Sequence, residues 1–508
     1  MADYFAVIDV GSNALKFQVA LVDQPKRYRV LEQDRQPIRL GHNVFRTGHL
    51  DPATAEAALK ALADFKSVAE RYQVKAIQAV GTSALREACD GKSFLKEAHQ
   101  LGVPMQILSE EDEARLISLG IMSGLRFYLP LGLFLDIGGG SIELAVANTT
   151  NIFCLFSLPL GAVRLTEELF TADPPRKREI RALRQFVRQQ LRSVGQRVGQ
   201  EKFTMAFGSG GTMTSLAETN LRVAGDGKNG SLAILRRTRL KALLDLLTTI
   251  PVKQRASLIS GDPKRADIIV AGGLVLYEIM SEIGLDYIFV SRRGLRDGLM
   301  IDLLQRHYDK SGVWDPDAER AESLEQVCQK YLYDAPHAYH VSQLALNLFY
   351  QLNNLHKLTD KYASLLQAAA MLHDIGLFIA EPKHHKHSYY LIKSSEMNAF
   401  DKLNLDVVAN IARYHRKSHP SQKHLGFSQL SPANQDVVRK LSALLRIADA
   451  FDYRHDQKVT ALTCAKKSKA ITITASGTGN VGDEVARALY KGELFEEVFN
   501  HRLIIRKA

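Results

Sequence analysis

The chain has 508 residues, 46% hydrophobic and 24% charged, with 34 glycines and 15 prolines, a globular composition with room for three or four domains of about 150 residues that excludes collagen-like and disordered readings. No apolar run reaches the roughly 18 positions of a membrane helix, and the start MADYFAVIDVGSN has no basic flank and carries Asp9 inside its short apolar run, so neither a membrane span nor a signal peptide is predicted. The cysteines Cys89, Cys154, Cys328 and Cys464 stand too far apart for a zinc pair or a disulfide framework, which predicts a cytoplasmic chain, and the net charge of +11 suits either plain solubility or an anionic partner.

In chain order, FAVIDVG (5–11) and FQVALVD (17–23) read as two strands around a turn of Gly11, Ser12 and Asn13. A helix is predicted over Asp51–Tyr72, capped by Asp51 or Thr54, with Leu59, Leu62, Phe65 and Ala69 on its apolar face. A strand at 76–82, a helix from Ser83, a strand at 105–108 and a helix from Glu110 follow, which makes a mixed α/β sheet flanked by helices. At 131–148 the opening layout returns: Asp136-Ile-Gly-Gly-Gly-Ser141 repeats the strand, acid and glycine turn of Asp9-Val-Gly-Ser-Asn13, and this predicts a duplicated domain with a cleft between its halves. A third glycine turn, Gly208-Ser-Gly-Gly-Thr212, follows the strand MAF, and a fourth, Ala271-Gly-Gly-Leu274, opens an apolar helix. Between Arg176 and Lys202 lie nine basic and two acidic residues, with Lys177, Arg181, Arg184, Arg188 and Arg192 on one helix face. That face reads either as solvated surface or as a rail for a long polyanion. Beyond a boundary near Ser311–Asp317 the periodicity is helical and twelve of the sixteen histidines occur, before strand-like runs return in the last fifty residues.

Turns of small residues expose backbone N–H groups that cradle phosphate oxygens, and an acid at the strand end can hold Mg²⁺ that binds the phosphate. The paired turns, with Glu143 seven residues past Asp136 and the Gly208–Thr212 turn, therefore predict a phosphate cleft. The four acids Glu110, Glu111, Asp112 and Glu113 stand at a helix start, where carboxylates favour the macrodipole in any case. Residue chemistry alone does not choose among them.

Together with Gly81-Thr-Ser-Ala-Leu-Arg86, Glu113-Ala-Arg-Leu116 and Gly294-Leu-Arg-Asp-Gly298, the two acid–glycine turns resemble, in order over residues 1 to about 305, the family of exopolyphosphatases and guanosine pentaphosphate phosphohydrolases. The resemblance implies the fold of actin, Hsp70 and sugar kinases, with subdomains at 1–125 and 126–310, a helical domain at 311–455 and a small α+β segment at 456–508. It implies hydrolysis of terminal phosphate with Glu113 as the water-activating base. The magnesium ligands would be Asp136 and Glu143, joined by Asp9. Phosphate would be held by Ser12, Asn13, Arg86, Gly138, Gly139, Gly140, Ser141, Gly208, Ser209, Gly210, Gly211, Thr212 and Arg296. Such an assignment is chemically coherent, because phosphoryl transfer needs an oriented water, a divalent ion and cationic clamps.

In the helical region His340, His373-Asp374 and Asp449 follow the order of an HD-type metal phosphohydrolase, and His384, His385, His387 and His415 are available to complete a two-metal site. Either a further divalent metal binds there or the motif is a relic of the fold.

The expectation is thus a Mg²⁺-dependent exopolyphosphatase acting on inorganic polyphosphate, with guanosine pentaphosphate 5′-phosphatase as the competing activity. An ATP-dependent kinase of the same fold, or a non-hydrolytic polyphosphate- or alarmone-binding regulator, are the other classes. Homodimers are the family default; neither membrane nor nucleic acid is expected as a partner.

Overall fold

A computed structural model describes residues 3–24, 27–125, 127, 129, 131–148, 151–201, 203–224, 232–308, 318–395, 397 and 400–508. The chain divides into two compact units. The first holds two large sheets, and the second holds the helices from Ala318 onward together with a small sheet. The predicted boundary at 311–317 lies outside the described residues. Among the described residues, no helix is long and apolar enough to cross a membrane.

The first sheet contains β1 (Asp3–Val10), β2 (Leu15–Gln24), β3 (Arg27–Gln36), β4 (Ala76–Gly81) and β5 (Met105–Ile107), in the order β3-β2-β1-β4-β5. Next come β6 (Gly132–Ile137), β7 (Ile142–Ala147), β8 (Ile152–Leu158), β9 (Met205–Ser209), β10 (Leu232–Arg236) and β11 (Tyr287–Ser291), in the order β10-β11-β9-β6-β7-β8. In each sheet an antiparallel three-strand meander pairs its first strand in parallel with the next strand of the chain. The second sheet adds only an antiparallel edge, β10 on β11. The duplication predicted from the two turns is therefore a duplication of whole sheets.

Strand β1 is apolar on both faces because both are covered. Ala6, Ile8 and Val10 pack with Phe17, Leu62 and Phe65, while Phe5 and Val7 pack with Leu299, Ile301 and Leu304. The helix Pro52–Arg71 supplies Leu62 and Phe65; Asp51 caps it by accepting the Thr54 N–H at 3.0 Å. Between the two sheets' surroundings, Arg39 pairs with Asp267 at 2.5 Å and Arg164 with Glu87 at 2.5 Å. The Ala271–Leu274 segment is not a turn: Gly272 and Gly273 lie inside the helix Ile269–Ile283, against Thr212 and Leu244.

In the second unit, the helices Ala335–Gln351, Ala363–Leu372, Lys402–Arg413 and Pro432–Ala450 carry the histidine-rich sequence. The small sheet orders β12 (Val459–Lys467), β13 (Ala470–Gly477) and β14 (Arg502–Lys507) consecutively. It belongs to the same compact body: Gln351 donates to the Leu462 carbonyl at 2.6 Å and accepts the Cys464 N–H at 2.9 Å.

Candidate active site

The matching hairpins of the two sheets open on one cleft of about 420 Å³. Each hairpin closes in the same way, the Gly11 N–H on the Ala14 carbonyl (3.2 Å) and the Gly138 N–H on the Ser141 carbonyl (3.0 Å). Register then fixes what faces the acid that ends each strand. Asp9 stands opposite Lys16 across β1 and β2, and Asp136 stands opposite Glu143 across β6 and β7. One hairpin thus carries an acid and a lysine, the other two acids. Lys16 donates to Asp9 Oδ2 at 2.9 Å, and it lines the cleft.

Of the residues predicted to hold phosphate, the structure places Ser12, Asn13, Gly138, Gly139, Ser141, Gly210, Gly211 and Arg296 on the cleft wall, together with Asp9, Asp136 and Glu113. Gly140, Gly208, Ser209, Thr212, Arg86 and Glu143 stand behind it. Gly208 lies in β9, where a Cβ would collide with Met213, so packing accounts for its lack of a side chain. Thr212 packs on Gly272, and Gly140 faces Ser83 and Phe45. Ser209 donates to Asp136, its parallel-strand neighbour, and so fixes that carboxylate.

Glu113 comes from the first turn of the helix Glu110–Met122, which Ser109 caps by accepting the Asp112 N–H at 3.0 Å. Among the four acids of that turn it alone is buried; Glu110, Glu111 and Asp112 face solvent. Arg86, anchored on the Leu108 carbonyl at 3.0 Å, donates to Glu113 Oε2 at 3.0 Å. Burial pushes the Glu113 carboxyl up to about 7 against the pull of Arg86, with Asp9 and Asp136 adding like charge. Burial likewise raises Asp136, and it raises Glu143 well above the carboxylate range, helped there by Glu113. Glu143 holds the Ser141 hydroxyl at 2.6 Å.

Cations face these acids. Arg265 is buried on the cleft wall, and burial together with Arg35 brings its guanidinium down to about 10. Asp262 forms an ion pair with each, 3.2 Å from Arg265 and 2.8 Å from Arg35. Arg292 and Arg296 complete the basic lining. No spacing rule pointed to Arg35, Arg265 or Arg292, which the fold gathers from separate elements.

Asp9 and Asp136 on the cleft wall, with Glu143 behind them, offer a donor set of the kind Mg²⁺ takes. Their donors are all oxygen, and buried like charge favours a cation, yet they form no closed cage. Among the described residues, the groupings of three ligand atoms within 4.8 Å all lie in the second unit. Magnesium characteristically takes one or two carboxylates and fills its shell with water and phosphate.

In the second unit, His373, Asp374 and Asp449 come together as predicted from their order, but His340 does not join them. The histidine that does is His337, whose Nε2 lies 3.3 Å from that of His373. Three residues on, His340 is rotated about 60° away and faces the β12 backbone at Val459. His384, His415 and the exposed His455 also come within reach of the group, while His385 and His387 do not.

The duplicated α/β sheets, with acid–glycine hairpins facing one cleft, define an actin-like fold. The chain belongs to the Ppx/GppA phosphatase family, whose profile matches residues 19–307, with the profile of Ppx/GppA phosphatase domain III matching 320–494. A Ppx/GppA family member from Aquifex aeolicus is 25% identical, with a TM-score of 0.52 over 61% of this chain and 99% of its own. An exopolyphosphatase-like protein is 26% identical, with a TM-score of 0.55 over 60% of this chain and 99% of its own. An exopolyphosphatase from Cytophaga hutchinsonii, 21% identical with a TM-score of 0.57 over 60% of this chain and 98% of its own, shares the fold.

Proposed function

We propose that the cleft hydrolyses the terminal phosphoanhydride bond of linear inorganic polyphosphate, with Glu113 as general base. The observation that carries this reading is Glu113 itself, a buried carboxyl on the cleft wall, raised to about 7 and aimed by Arg86. A base poised near neutrality combines the ionised form with real proton affinity. Backbone N–H groups of the two hairpin turns, with Lys16, Arg265 and Arg296, supply donors for phosphate oxygens. Glu113 takes a proton from water as its oxygen bonds to the terminal phosphorus, and the shortened chain departs. Mg²⁺ bound through Asp136, Asp9 and Glu143 would neutralise charge on the phosphate oxygens.

Polyphosphate is favoured over guanosine pentaphosphate because, among the described lining residues, no aromatic side chain offers a base a stacking face. Phosphate release from polyphosphate, guanosine pentaphosphate and ATP at equal concentration tests this directly. Polyphosphate should give the highest kcat/KM. A preference for the nucleotide would reassign the substrate, and binding without release would make the protein a regulator. Asp136→Asn should raise the Mg²⁺ concentration needed for half-maximal rate, and an unchanged titration would remove Asp136 from the metal site.

The basic helix Lys177–Gln200 divides into two roles. Arg184 and Arg188 both bind Glu278, an almost fully buried acid, at 2.5 and 2.6 Å. Removing either leaves a buried charge under-paired, so that pair belongs to folding. Arg181 and Arg192 flank them along the same shallow surface groove. As a rail for long chains, the pair predicts that Arg181→Gln with Arg192→Gln weakens long-chain polyphosphate more than a short chain, with a shallower salt dependence. Equal binding on both lengths would make the groove plain solvated surface.

A further inference from the structure

The histidine cluster of the second unit takes no part in the reaction above. Its ring nitrogens show what it is built to hold. Nδ1 of His373 meets the Ala370 carbonyl at 2.7 Å, Nδ1 of His415 the Ala412 carbonyl at 2.7 Å, and Nδ1 of His384 the Glu381 carbonyl at 3.1 Å. Nδ1 of His337 meets the Asp452 carboxylate at 2.8 Å. Carbonyl and carboxylate oxygens only accept, so each Nδ1 carries a hydrogen, and it is Nε2 that each ring, once neutral, has free to offer a metal. These nitrogens meet in twos: His337 and His373 Nε2 are 3.3 Å apart, and so are His384 and His415 Nε2. Arg416 Nη1 reaches His384 Nε2 at 3.3 Å, and two facing lone pairs at 3.3 Å repel unless a cation sits beside both.

Asp374 lies between the two pairs. Its Oδ1 is 3.2 Å from His384 Nε2 and 3.5 Å from His415 Nε2; its Oδ2 is 3.7 Å from His373 Nε2 and 4.0 Å from His337 Nε2. Oδ1 is buried and receives no hydrogen bond. Asp449 Oδ1 adds to the first pair, 3.6 Å from His373 and 4.0 Å from His337, while its Oδ2 meets Lys491 at 3.4 Å.

We propose that this cluster is a dinuclear site for divalent transition-metal ions, bridged by Asp374. One ion sits on His337, His373, Asp374 Oδ2 and Asp449; the second sits on Asp374 Oδ1, His384 and His415. Spacing supports the assignment, because two nitrogens each about 2.1 Å from one ion stand roughly 3.0–3.4 Å apart at tetrahedral or octahedral angles. Tying down the distal nitrogen of each ring is also how metal-ligating histidines are oriented. A set rich in imidazole selects manganese, iron, cobalt or zinc over magnesium. The histidines are sealed, while the Asp374 and Asp449 side chains keep 20% and 16% of their surface exposed, which leaves a path for ions from solvent. His455 stacks on His337 at 3.6 Å between ring centres and covers that ring.

The test uses full-length protein purified without chelators or a polyhistidine tag. It is loaded with excess Mn²⁺ and exchanged into Mg²⁺ buffer, so that Mg²⁺ reclaims the oxygen-only sites. Elemental analysis should find two manganese ions per chain, and electron paramagnetic resonance should show an exchange-coupled pair. His384→Ala with His415→Ala should reduce the count to one and abolish the coupling. Glu113→Gln should leave both at two coupled ions, which separates this site from the cleft. A wild-type count of one or none overturns the dinuclear site, as does an unchanged count in a folded His384/His415 variant. Where that variant does not fold, X-ray absorption on the loaded wild type decides: imidazole in the manganese shell supports the site, and an all-oxygen shell overturns it.

Discussion

Glu113→Gln should lower kcat on polyphosphate by roughly 10²–10⁴, the usual contribution of a positioned base, while KM stays within a few-fold. The amide keeps the volume of the carboxyl and can still accept from Arg86, which donates at 3.0 Å, so the phosphate donors of the hairpin turns are not disturbed. What disappears is the proton acceptor. The pH profile separates this from general damage. In the wild type, the rate should climb as pH rises through about 7, where the buried carboxyl ionises; in the variant that limb should vanish. Stability moves the opposite way. A carboxyl raised from about 4.5 to about 7 stabilises the fold fully only below its unfolded value, and the contribution is lost as pH rises through about 7. Without divalent ions, Glu113→Gln should therefore gain stability over wild type between pH 5 and 8, by up to roughly 3 kcal/mol at about 1.4 kcal/mol per pKa unit. A variant that keeps its turnover would move the base to another group. One that loses turnover and stability together at pH 8 would show that Glu113 is needed for folding instead.

How much of this was readable before the structure depends on which signals are local. The strands β1 and β6 announce themselves as nearly continuous apolar runs ending in acid and glycine, and the site acids at their ends follow. Strand β3 is different. Its sequence, RYRVLEQDRQ, lies on a sheet edge where one side meets solvent, so charge replaces the hydrophobic pattern that marks a strand. Lys16 had a usable signal that spacing alone would have given: it stands seven residues after Asp9, as Glu143 stands seven after Asp136, and antiparallel register makes those positions equivalent. His337 and His340 share one helix a turn apart, and sequence order cannot say which points inward until the neighbouring helices are placed. Gly208 and Thr212 look like members of a phosphate turn because glycine serves equally for a turn and for close packing. Glu278, set between apolar residues within the helix Ile269–Ile283, was the available warning about the basic stripe, since a buried acid there requires cations from a neighbour. Arg35, Arg265 and Arg292 left no such trace, because only the closed fold brings them to one wall.

Gly298→Ala should be the most damaging single-methyl change in the first unit. A Cβ at Gly298 would lie 1.8 Å from the Leu116 carbonyl oxygen and 2.7 Å from its carbon. From the other side, a Cβ at Gly120 would lie 2.0 Å from the Gly294 oxygen and 2.8 Å from the Gly298 nitrogen. The helices Glu110–Met122 and Leu295–Tyr308 thus cross with backbone against backbone. No side chain can rotate away, so the helices must separate. Overpacking a core costs about 1–3 kcal/mol where side chains yield; here the loss should reach or exceed the top of that range, although alanine is intrinsically the better helix former by about 1 kcal/mol. Function should fall with stability, because one helix carries Glu113 a turn before Leu116, and the other begins beside Arg296 on the cleft wall. The control is Gly199→Ala, in the exposed last turn of the helix Lys177–Gln200, where a Cβ meets nothing within 4 Å. That change should be neutral or stabilising by up to about 1 kcal/mol. Urea unfolding of both variants, with phosphate release measured on the same samples, reads the contrast directly. Gly298→Ala as stable as wild type would mean that the two helices can part without cost, and the glycine of the Gly294–Gly298 motif would then need an explanation other than the crossing.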